Sequence, residues 1–385
     1  MNQYPDSISS KLPNLGTSIF AVMTKMAEEH KAINLSQGFP DFEVSPALID
    51  AVCLHMREGR NQYAPMPGIL RLREAISANT KSVYDAVYDP EKEITITPGA
   101  TQAIYAAITA FVREEDEVIV FEPAYDSYVP AIRLNGATPI SYKLNPPDFH
   151  IDWEQVRHLV SNRTKMIIIN SPHNPTGSVL NNEDMVELER IVNNTGIIVL
   201  SDEVYEHIIF DEHRHVSVCN YPALAQRSFV VFSFGKTFHA TGWKTGYCMA
   251  PENLMREFRK THQFMVFCTN TPVQHALADF LSDPANLKGL GAFYQKKRDF
   301  FLDAVSGSRF TGIPASGTYF QLLNYENISE LDEMEFASWL VKEHKIAAVP
   351  VSAFYSKTIN NRMLRFCFAK SEETLKKAAD ILCSI

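Results

Sequence analysis

The chain has 385 residues, with 36 Lys and Arg against 45 Asp and Glu, so its formal charge is −9. This acidic balance argues against nucleic acid or an anionic membrane surface as the main partner. Hydrophobic residues make up 45% and charged residues 21%, which excludes a disordered chain and suffices for a buried core. No window of the sequence approaches the ~20 apolar residues that a membrane span needs.

The N-terminus and the cysteines bear on the cellular compartment. Residues 1–11 contain no apolar stretch after a basic start, so we expect no secretory signal. The six cysteines are scattered, and no pair has the CxxC spacing that is typical of metal sites. We therefore expect reduced thiols in a cytosolic protein, and no bound metal.

Short β-rich segments alternate with helical patterns over the first two thirds of the chain. The predicted strands cover residues 93–97, 117–121, 138–142, 166–170, 197–201, 229–233 and 244–249. The predicted helices cover about residues 68–87, 100–112, 153–160 and 182–193. A further helix begins at Ser45-Pro46, where serine can cap the free amides and proline suits the first turn. This alternation is typical of an α/β domain with a largely parallel sheet covered on both faces.

After residue 251 the pattern changes to long helices and then to a mixed segment. Helices are expected over residues 252–267, 272–281 and 293–305. The elements expected beyond Pro314 are strands at 318–323, 347–350 and 363–368, a helix at 333–343 and a terminal helix capped by Ser371. We therefore expect a large domain over residues 45–282, a small α+β domain over residues 283–385, and an N-terminal arm, residues 1–44, that packs with the small domain.

The most informative motif is a lysine in the segment SFGKTF, residues 233–238, which is followed by TGWKTGY at residues 241–247. Lys236 lies between two apolar strands among Gly and Ser, unlike a typical solvated lysine. A lysine in a polar, partly desolvated pocket forms imines with aldehydes. The alternative is that Lys236, like Lys244 eight residues later, extends from a strand end into solvent.

A second motif is SDEVYEH, residues 201–207, directly after an apolar run. A carboxylate at the end of a buried parallel strand usually faces a ligand crevice, where Asp202 could pair with a ring nitrogen and keep it protonated. Tyr205, three residues later, can reach the same crevice. Taken alone, Asp202 could equally cap a loop or bind a metal.

Two further strand ends carry residues suited to ligand binding. Asn174 lies between prolines in NSPHNPTG, residues 170–177, a stiff loop whose amide can hold a ligand, although simple turn chemistry is the alternative. The segment TPGATQA, residues 97–103, leads from a strand into a helix, and its small residues let backbone amides approach an anion. It matches neither the Walker pattern nor GxGxxG, so it is weak alone as a phosphate site.

In this order and spacing the four motifs resemble those of the fold-type I pyridoxal phosphate aminotransferases of class I/II. The similarity to the methionine and kynurenine aminotransferase branch lies in residues 36–42 (SQGFPDF), 61–63 (NQY), 171–177 and 233–246. The resemblance covers nearly the whole chain and implies fold type I, with a mainly parallel seven-stranded sheet in the large domain. It also implies the cofactor pyridoxal 5′-phosphate, amino-acid and 2-oxo-acid substrates, and a homodimer with shared active sites.

The resemblance assigns the catalytic roles to three residues. Lys236 is expected to be the Schiff-base lysine, which also moves the substrate's α-proton. Asp202 is expected to pair with the pyridinium nitrogen, so that the cofactor ring can act as an electron sink. Tyr205, together with Asn174, is expected to hydrogen-bond the phenolic oxygen of the cofactor.

The remaining cofactor contacts follow from the same resemblance. Tyr125 is expected to stack on the ring. The backbones of Ala100 and Thr101 are expected to bind the phosphate together with Ser233 and Lys244. Many relatives carry arginine where Lys244 stands, and a lysine offers a point charge in place of a planar fork.

The resemblance also assigns substrate contacts and a subunit contact. Arg365 is expected to take the α-carboxylate as a bidentate fork, helped by Gly38 and Asn174. Tyr63 is expected to reach the phosphate that the neighbouring subunit binds. Phe20 and Phe267 are expected to line the pocket for the substrate side chain, with core packing as the alternative for each.

Substrate preference and reaction outcome are less determined by the motifs. An aromatic pocket without an evident second arginine favours methionine, aromatic, leucine or kynurenine donors over aspartate. The motifs do not separate amino transfer from β-elimination, so a cysteine-S-conjugate β-lyase on the same scaffold stays open as the alternative.

Overall fold

The structure is a computed structural model that describes residues 9–13 and 15–385; residues 1–8 of the predicted N-terminal arm, and Asn14, lie outside it. The strands of the described part are β1 Ile33–Asn34, β2 Ile94–Thr97, β3 Glu117–Glu122, β4 Thr138–Lys143, β5 Thr164–Asn170, β6 Ile198–Asp202, β7 Ser228–Ser233, β8 Gly246–Met249, β9 Phe320–Asn324, β10 Ile346–Ala347, β11 Val349–Pro350 and β12 Met363–Cys367. The α-helices are α1 Ile19–His30, α2 Pro46–Arg57, α3 Leu70–Tyr84, α4 Ala100–Phe111, α5 Tyr128–Leu134, α6 Trp153–Leu159, α7 Asn182–Val192, α8 Pro222–Ala225, α9 Phe234–Thr237, α10 Glu252–Val266, α11 Thr271–Leu281, α12 Leu290–Val305, α13 Glu333–His344 and α14 Glu372–Leu382. None of these helices is long and apolar enough to cross a membrane.

The central sheet has seven strands in the order β2-β8-β7-β6-β5-β3-β4. Strand β8 runs antiparallel to both of its neighbours, and all other neighbours are parallel. These are the seven strands predicted between residues 93 and 249, so the predicted mainly parallel α/β fold is confirmed. Parallel strands need crossover connections, which is why helices alternate with strands along the chain.

Both faces of the central sheet are buried except at the edge strand β4, as expected for parallel strands covered by helices. Along β3, Val118 and Val120 pack in the apolar cluster on one face, while Ile119 and Phe121 pack in the cluster on the other. Successive side chains of a strand point to opposite faces, so a continuous apolar run is what such a strand requires. Because apolar side chains occupy both faces, polar residues that bind a ligand are expected at the ends of the strands.

The carboxyl ends of β5, β6 and β7 bring three polar residues side by side. Asn170 and Asp202 end β5 and β6 and are register partners, and Ser233 ends β7. In a parallel sheet the crevice beyond these ends is where ligands bind. The fold therefore places the predicted motifs next to one another.

A third apolar cluster joins residues near the two ends of the described chain. Met23 and Leu35 pack in it with Phe336 and Leu340 of α13, and the short strand β1 pairs in parallel with β10. A separate antiparallel sheet, in the order β11-β12-β9, carries the C-terminal strands. The segment around residues 19–35 is therefore held against the C-terminal part.

Three local predictions differ from the structure. The strand predicted at 347–350 is two short strands, because β10 pairs with β1 whereas β11 pairs with β12. The strand predicted from residue 318 begins at Phe320, since Thr318 has a left-handed backbone with φ 65°.

Helix α2 begins at Pro46 as predicted, but the Ser45 side chain makes no cap bond. The backbone carbonyl of Ser45 accepts instead from the amides of Leu48 and Ile49. The predicted cap Ser371 does accept from the Thr374 amide.

Candidate active site

A cavity of about 200 Å³ opens at the carboxyl ends of β5, β6 and β7. Twelve of the fourteen residues predicted for the site line it: Phe20, Gly38, Ala100, Thr101, Tyr125, Asn174, Asp202, Tyr205, Ser233, Lys236, Lys244 and Arg365. They come from segments spread over the whole chain. The two that do not line this cavity are Tyr63 and Phe267.

Lys236 lies on the short helix α9, which begins directly after β7. Its Nζ donates to Tyr319 Oη at 2.8 Å and lies 3.3 Å from the Gly38 carbonyl oxygen. Burial lowers the pKa of Lys236 to about 8. A larger fraction of this amine is therefore neutral at pH 7 than of an exposed lysine, as a nucleophile or a base requires.

Asp202 is buried at the end of β6 and is oriented by two donors. Tyr128 donates to Oδ2 at 2.6 Å, and the Val204 amide donates to Oδ1 at 3.4 Å. Burial raises the pKa of Asp202 to about 6, and the hydrogen bond from Tyr128 opposes that rise. The carboxylate is ionised at neutral pH and can pair with a cationic ligand.

The turn between β2 and α4 forms a close-fitting cradle. Gly99 has φ 80°, and a Cβ built on it would lie 3.3 Å from Lys244 Nζ. A Cβ built on Gly246 would lie 3.0 Å from the Ala100 amide nitrogen. Free backbone amides at the start of this helix and the Lys244 ammonium together favour an anion.

Arg365 is buried on β12, with a side chain enclosed by aromatic rings. Its Cζ lies 3.8 Å from the centroid of the Phe320 ring and 5.2 Å from that of Phe20. Nη1 donates to Asn174 Oδ1 at 2.7 Å and Nη2 to the Ser36 carbonyl at 3.1 Å, whereas the buried Nε has no hydrogen-bond partner. Burial lowers the pKa of Arg365 to about 10, so it stays charged at neutral pH. A buried cation held only by neutral groups is suited to a carboxylate ligand.

Asn174 is held in place by the end of β5. The Asn170 side chain accepts from the Asn174 amide at 2.8 Å and donates to the Asp202 carbonyl at 2.8 Å. This pair of bonds ties the loop after β5 to the end of β6. Because the side-chain oxygen of Asn174 accepts from Arg365, the side-chain nitrogen Nδ2 of Asn174 is left to donate to a ligand.

The aromatic residues surround the polar groups of the cavity. Tyr125 Oη lies 3.2 Å from Thr101 Oγ1, and its ring lies edge-on to Tyr128. The Tyr205 ring lies 5.5 Å from Lys236 Nζ, and burial raises the pKa of its hydroxyl, which stays a neutral donor. These rings restrict access of water to the charged groups.

Tyr63 and Phe267 lie together on the surface of the chain. Their ring centroids are 5.1 Å apart in an edge-to-face contact, with Tyr63 81% and Phe267 51% exposed. Phe267 therefore does not line the cavity of its own chain. Phe267 follows the last residue of α10 with φ 52° and lies beside Tyr63, so its expected place in a side-chain pocket stays a prediction.

Sequence reasoning missed several residues of the site. The cavity lining also includes residues within the sequence motifs described above, namely Gln37, Gly99, Asn170, Val204, Gly235, Thr241 and Thr245, and two outside them, Ile104 and Phe320. Tyr128 lies one turn after Tyr125, a spacing that could have identified it. Tyr319 has no such local signal, since it reaches Lys236 across 83 residues of sequence.

Comparison with known proteins agrees with the motifs. The family model of aminotransferase class I and II matches residues 30–382. The methionine aminotransferase of Escherichia coli K12 is 48% identical over 383 residues, covering 99% of each chain, and the kynurenine–oxoglutarate transaminase of Dictyostelium discoideum is 32% identical, covering 98% of this chain and 96% of that protein. The crystal structure of YbdL from Escherichia coli, identified as a methionine aminotransferase, superposes with a TM-score of 0.97 at 47% identity, covering 99% of this chain and 100% of that one.

These relatives confirm the predicted methionine and kynurenine aminotransferase branch, and they favour amino transfer over the β-elimination alternative. The match to the family model spans the elements from β1 to α14, so it includes every strand that lines the cavity. The chain belongs to the class I and II aminotransferases.

Proposed function

We propose that this chain binds pyridoxal 5′-phosphate and transfers the α-amino group of a methionine, aromatic or kynurenine-type donor to a 2-oxo acid in two half-reactions. Aminotransferases of this family use that cofactor. The observation that carries the proposal is the convergence of Lys236, Asp202 and Arg365 on one cavity. An amine, a carboxylate and a guanidinium at one site match an aldehyde, a ring nitrogen and a substrate carboxylate.

The residues present fit the cofactor on two independent points and the substrate on a third. The cradle at Gly99 and Lys244 is suited to a phosphate. Asp202 is a buried carboxylate with room for a cationic partner. Arg365 has an unpartnered buried Nε and no ion pair with a carboxylate among the described residues. These points concern three separate parts of the expected ligands.

The side chains divide the chemical work among them. When bound, the cofactor supplies an electron sink for the negative charge that develops on the substrate α-carbon. Lys236 would hold the cofactor covalently and, once released, would move the proton from the substrate α-carbon to a carbon of the cofactor. Asp202 would keep the ring nitrogen protonated. The Tyr205 hydroxyl and the side-chain Nδ2 of Asn174 would donate hydrogen bonds to the phenolic oxygen.

The remaining contacts bind and orient. The amides of Ala100 and Thr101, with Ser233 and Lys244, would hold the phosphate, and Tyr125 would stack on the ring. Arg365 would take the α-carboxylate of the substrate, with Gly38 and Asn174 completing that subsite. Orientation of this kind lowers the barrier because the reacting groups no longer have to find one another.

The donor side chain would enter an apolar part of the cavity. Phe20 lines it and packs against Phe354, with ring centroids 5.9 Å apart. Among the described residues, the cations that line the cavity are Lys236, Lys244 and Arg365, each of which already has a role. A carboxylate side chain would therefore lose hydration there without gaining a cationic partner.

A donor panel tests this proposal. We expect kcat/KM for methionine and phenylalanine to exceed that for aspartate by about 2 kcal/mol, a factor of roughly 30, under one 2-oxo-acid acceptor. Arg365→Lys should lower kcat/KM by a similar factor for all donors, equivalent to about 1.5–3 kcal/mol, because every amino acid presents the same α-carboxylate to the guanidinium fork. Aspartate turned over as well as methionine would contradict the apolar pocket, and a loss confined to one donor would place Arg365 elsewhere.

We propose further that the enzyme is a homodimer in which Tyr63 and Phe267 reach the cavity of the neighbouring subunit. The two rings form an exposed aromatic pair, which is unusual for side chains of this size on a free surface. Tyr63 would contact the phosphate bound by the neighbour. Phe267, beside Tyr63, would then line the side-chain pocket of the neighbouring subunit. In this arrangement Phe267 keeps its predicted role, but in the cavity of the other subunit.

Subunit mixing tests the shared site. Lys236→Ala and Tyr63→Ala proteins, each inactive, should recover about one quarter of wild-type activity after random exchange, because each heterodimer regains one complete cavity. Mixing Lys236→Ala with Asp202→Asn is the matched control, since both of those residues belong to one cavity and no complete site can form. Recovery in the control, or none in the first mixture after exchange has been demonstrated, would refute the model.

We propose the same organisation that the sequence predicts: an N-terminal arm over residues 1–44, a large domain over 45–282 and a small domain over 283–385. The shared apolar cluster of Met23, Leu35 and Phe336 supports packing of the arm with the small domain. All six cysteines are free, which supports the predicted cytosolic location.

A further inference from the structure

Tyr319 is a buried residue whose hydroxyl lies between two distant parts of the chain. It directly precedes β9, and its Oη is 2.8 Å from Lys236 Nζ and 2.5 Å from the carbonyl oxygen of Gly38. Its ring lies edge-on to Tyr205 at 5.1 Å. The hydroxyl thus links the lysine to the segment before α2 and to the C-terminal sheet.

The direction of each hydrogen bond follows from the groups present. The Gly38 carbonyl can only accept, so the single proton of the Tyr319 hydroxyl is directed to it. The oxygen of Tyr319 is then left to accept from Lys236 Nζ, which also lies 3.3 Å from the Gly38 oxygen. The Lys236 amine therefore faces two acceptor oxygens, Tyr319 Oη and the Gly38 carbonyl oxygen, and these two are hydrogen-bonded to each other.

We propose that Tyr319 is a positioning residue that holds the Lys236 amine whenever the lysine is not bonded to the cofactor. This inference rests on the proposed function, in which Lys236 must be released before it can move a proton. A lysine has a long flexible stem, and a released amine without a fixed acceptor would sample many rotamers. Held by Tyr319 and Gly38, the amine stays in the cavity where the substrate arrives.

The charged and titratable surroundings determine how the hydroxyl acts on Lys236. The groups that face the amine are Asp202, Tyr205, Lys244, Arg365 and Cys367. Burial and the two neighbouring cations disfavour the protonated amine. An acceptor oxygen favours the protonated amine, because a hydrogen bond to a charged donor is stronger than one to a neutral donor. Removing that oxygen should therefore lower the pH at which Lys236 loses its proton.

The test replaces one hydroxyl and compares it with a neighbouring one. Tyr319→Phe keeps the ring and removes the oxygen. Tyr294→Phe is the matched control, because Tyr294 is also buried, lies 5.8 Å from Tyr319 between ring centroids, and directs its hydroxyl to His239 and away from Lys236. In the cofactor-free protein, reductive methylation at Lys236 is followed against pH by peptide mass spectrometry.

We expect the methylation midpoint to fall by about one pH unit in Tyr319→Phe, a tenfold larger neutral fraction, and to stay unchanged in Tyr294→Phe. In the loaded enzyme kcat of the donor half-reaction should fall about 10- to 100-fold with KM nearly unchanged, since the amine is misplaced only after substrate has bound. An unchanged midpoint in Tyr319→Phe overturns the proposal, whatever the rate.

A measurement on the wild-type protein keeps the proposal testable if Tyr319→Phe does not fold. A crystal structure with pyridoxamine 5′-phosphate, in which Lys236 is free, should show Nζ within hydrogen-bond distance of Tyr319 Oη. An amine turned away from Tyr319 overturns the proposal. Failure of the proposed function is seen separately, because it would appear as a lack of turnover in the donor panel, whereas the methylation titration needs no cofactor.

Discussion

Replacing Lys236 by alanine is expected to abolish amino transfer, with a loss of at least about 10³-fold, because one amine both holds the cofactor and moves the proton. The fold should survive, since α9 is a single turn and alanine suits a helix. The measurements are donor turnover and the visible absorbance of the lysine-linked cofactor, which should be missing from the variant. Normal turnover would show that another group carries the chemistry.

Lys236→Arg is the matched control for the effect of charge. Arginine keeps a cation among the same neighbours but does not lose its proton in proteins, so it can neither act as a base nor react with an aldehyde. We expect it to be as inactive as Lys236→Ala. An active arginine variant would mean that the positive charge alone is required, and it would remove Lys236 from the proton transfer.

Replacing Asp202 by asparagine is expected to lower kcat by at least about 100-fold, equivalent to about 2.7 kcal/mol. The substitution keeps the size and can still accept from Tyr128, so the protein should fold and bind some cofactor. It removes the negative charge from a buried site, where leaving one partner of an ion pair uncompensated costs roughly 3–5 kcal/mol. A rate within about tenfold of wild type, or 1.4 kcal/mol, would count against a role for this charge.

The same carboxyl predicts a pH dependence. Burial raises the pKa of Asp202 to about 6, so the group is ionised above that pH and becomes neutral as the pH falls through it. Cofactor affinity, measured by absorbance, should therefore fall on the acid side of about pH 6. Tyr128→Phe removes a donor that opposes the rise, so the pKa should increase and the acid limb should move about one unit to higher pH. A limb that stays in place would separate Tyr128 from the titration.

Much of the fold was readable from the sequence, because local patterns determine it. Strands β5 and β6 are short apolar runs of the kind that a parallel sheet buried on both faces requires, and they end in the polar residues Asn170 and Asp202. Asp202 and Asn174 could be predicted for that reason. The ends of parallel strands meet at one edge, so the sequence order of such motifs already implies a common site.

Other predictions depended on resemblance to a family and not on local chemistry. Arg365 lies in an ordinary buried strand, and no neighbour in sequence marks it as a ligand-binding residue. Its hydrogen-bond partner Asn174 is 191 residues away in sequence, and two of the aromatic rings that contact it are those of Phe20 and Phe320. Only folding brings these groups together.

The sequence by itself determined the seven strands, their mainly parallel arrangement and the polar residues at the strand ends, because these follow from periodicity and from chain order. The tertiary structure decided which hydroxyls reach the charged groups, as Tyr128 does at Asp202 and Tyr319 at Lys236. It also decided that Phe267 lies beside Tyr63 on the surface and not in its own cavity. Hydrogen bonds and ring contacts depend on distances of a few ångströms between residues far apart in sequence, and no local pattern contains that information.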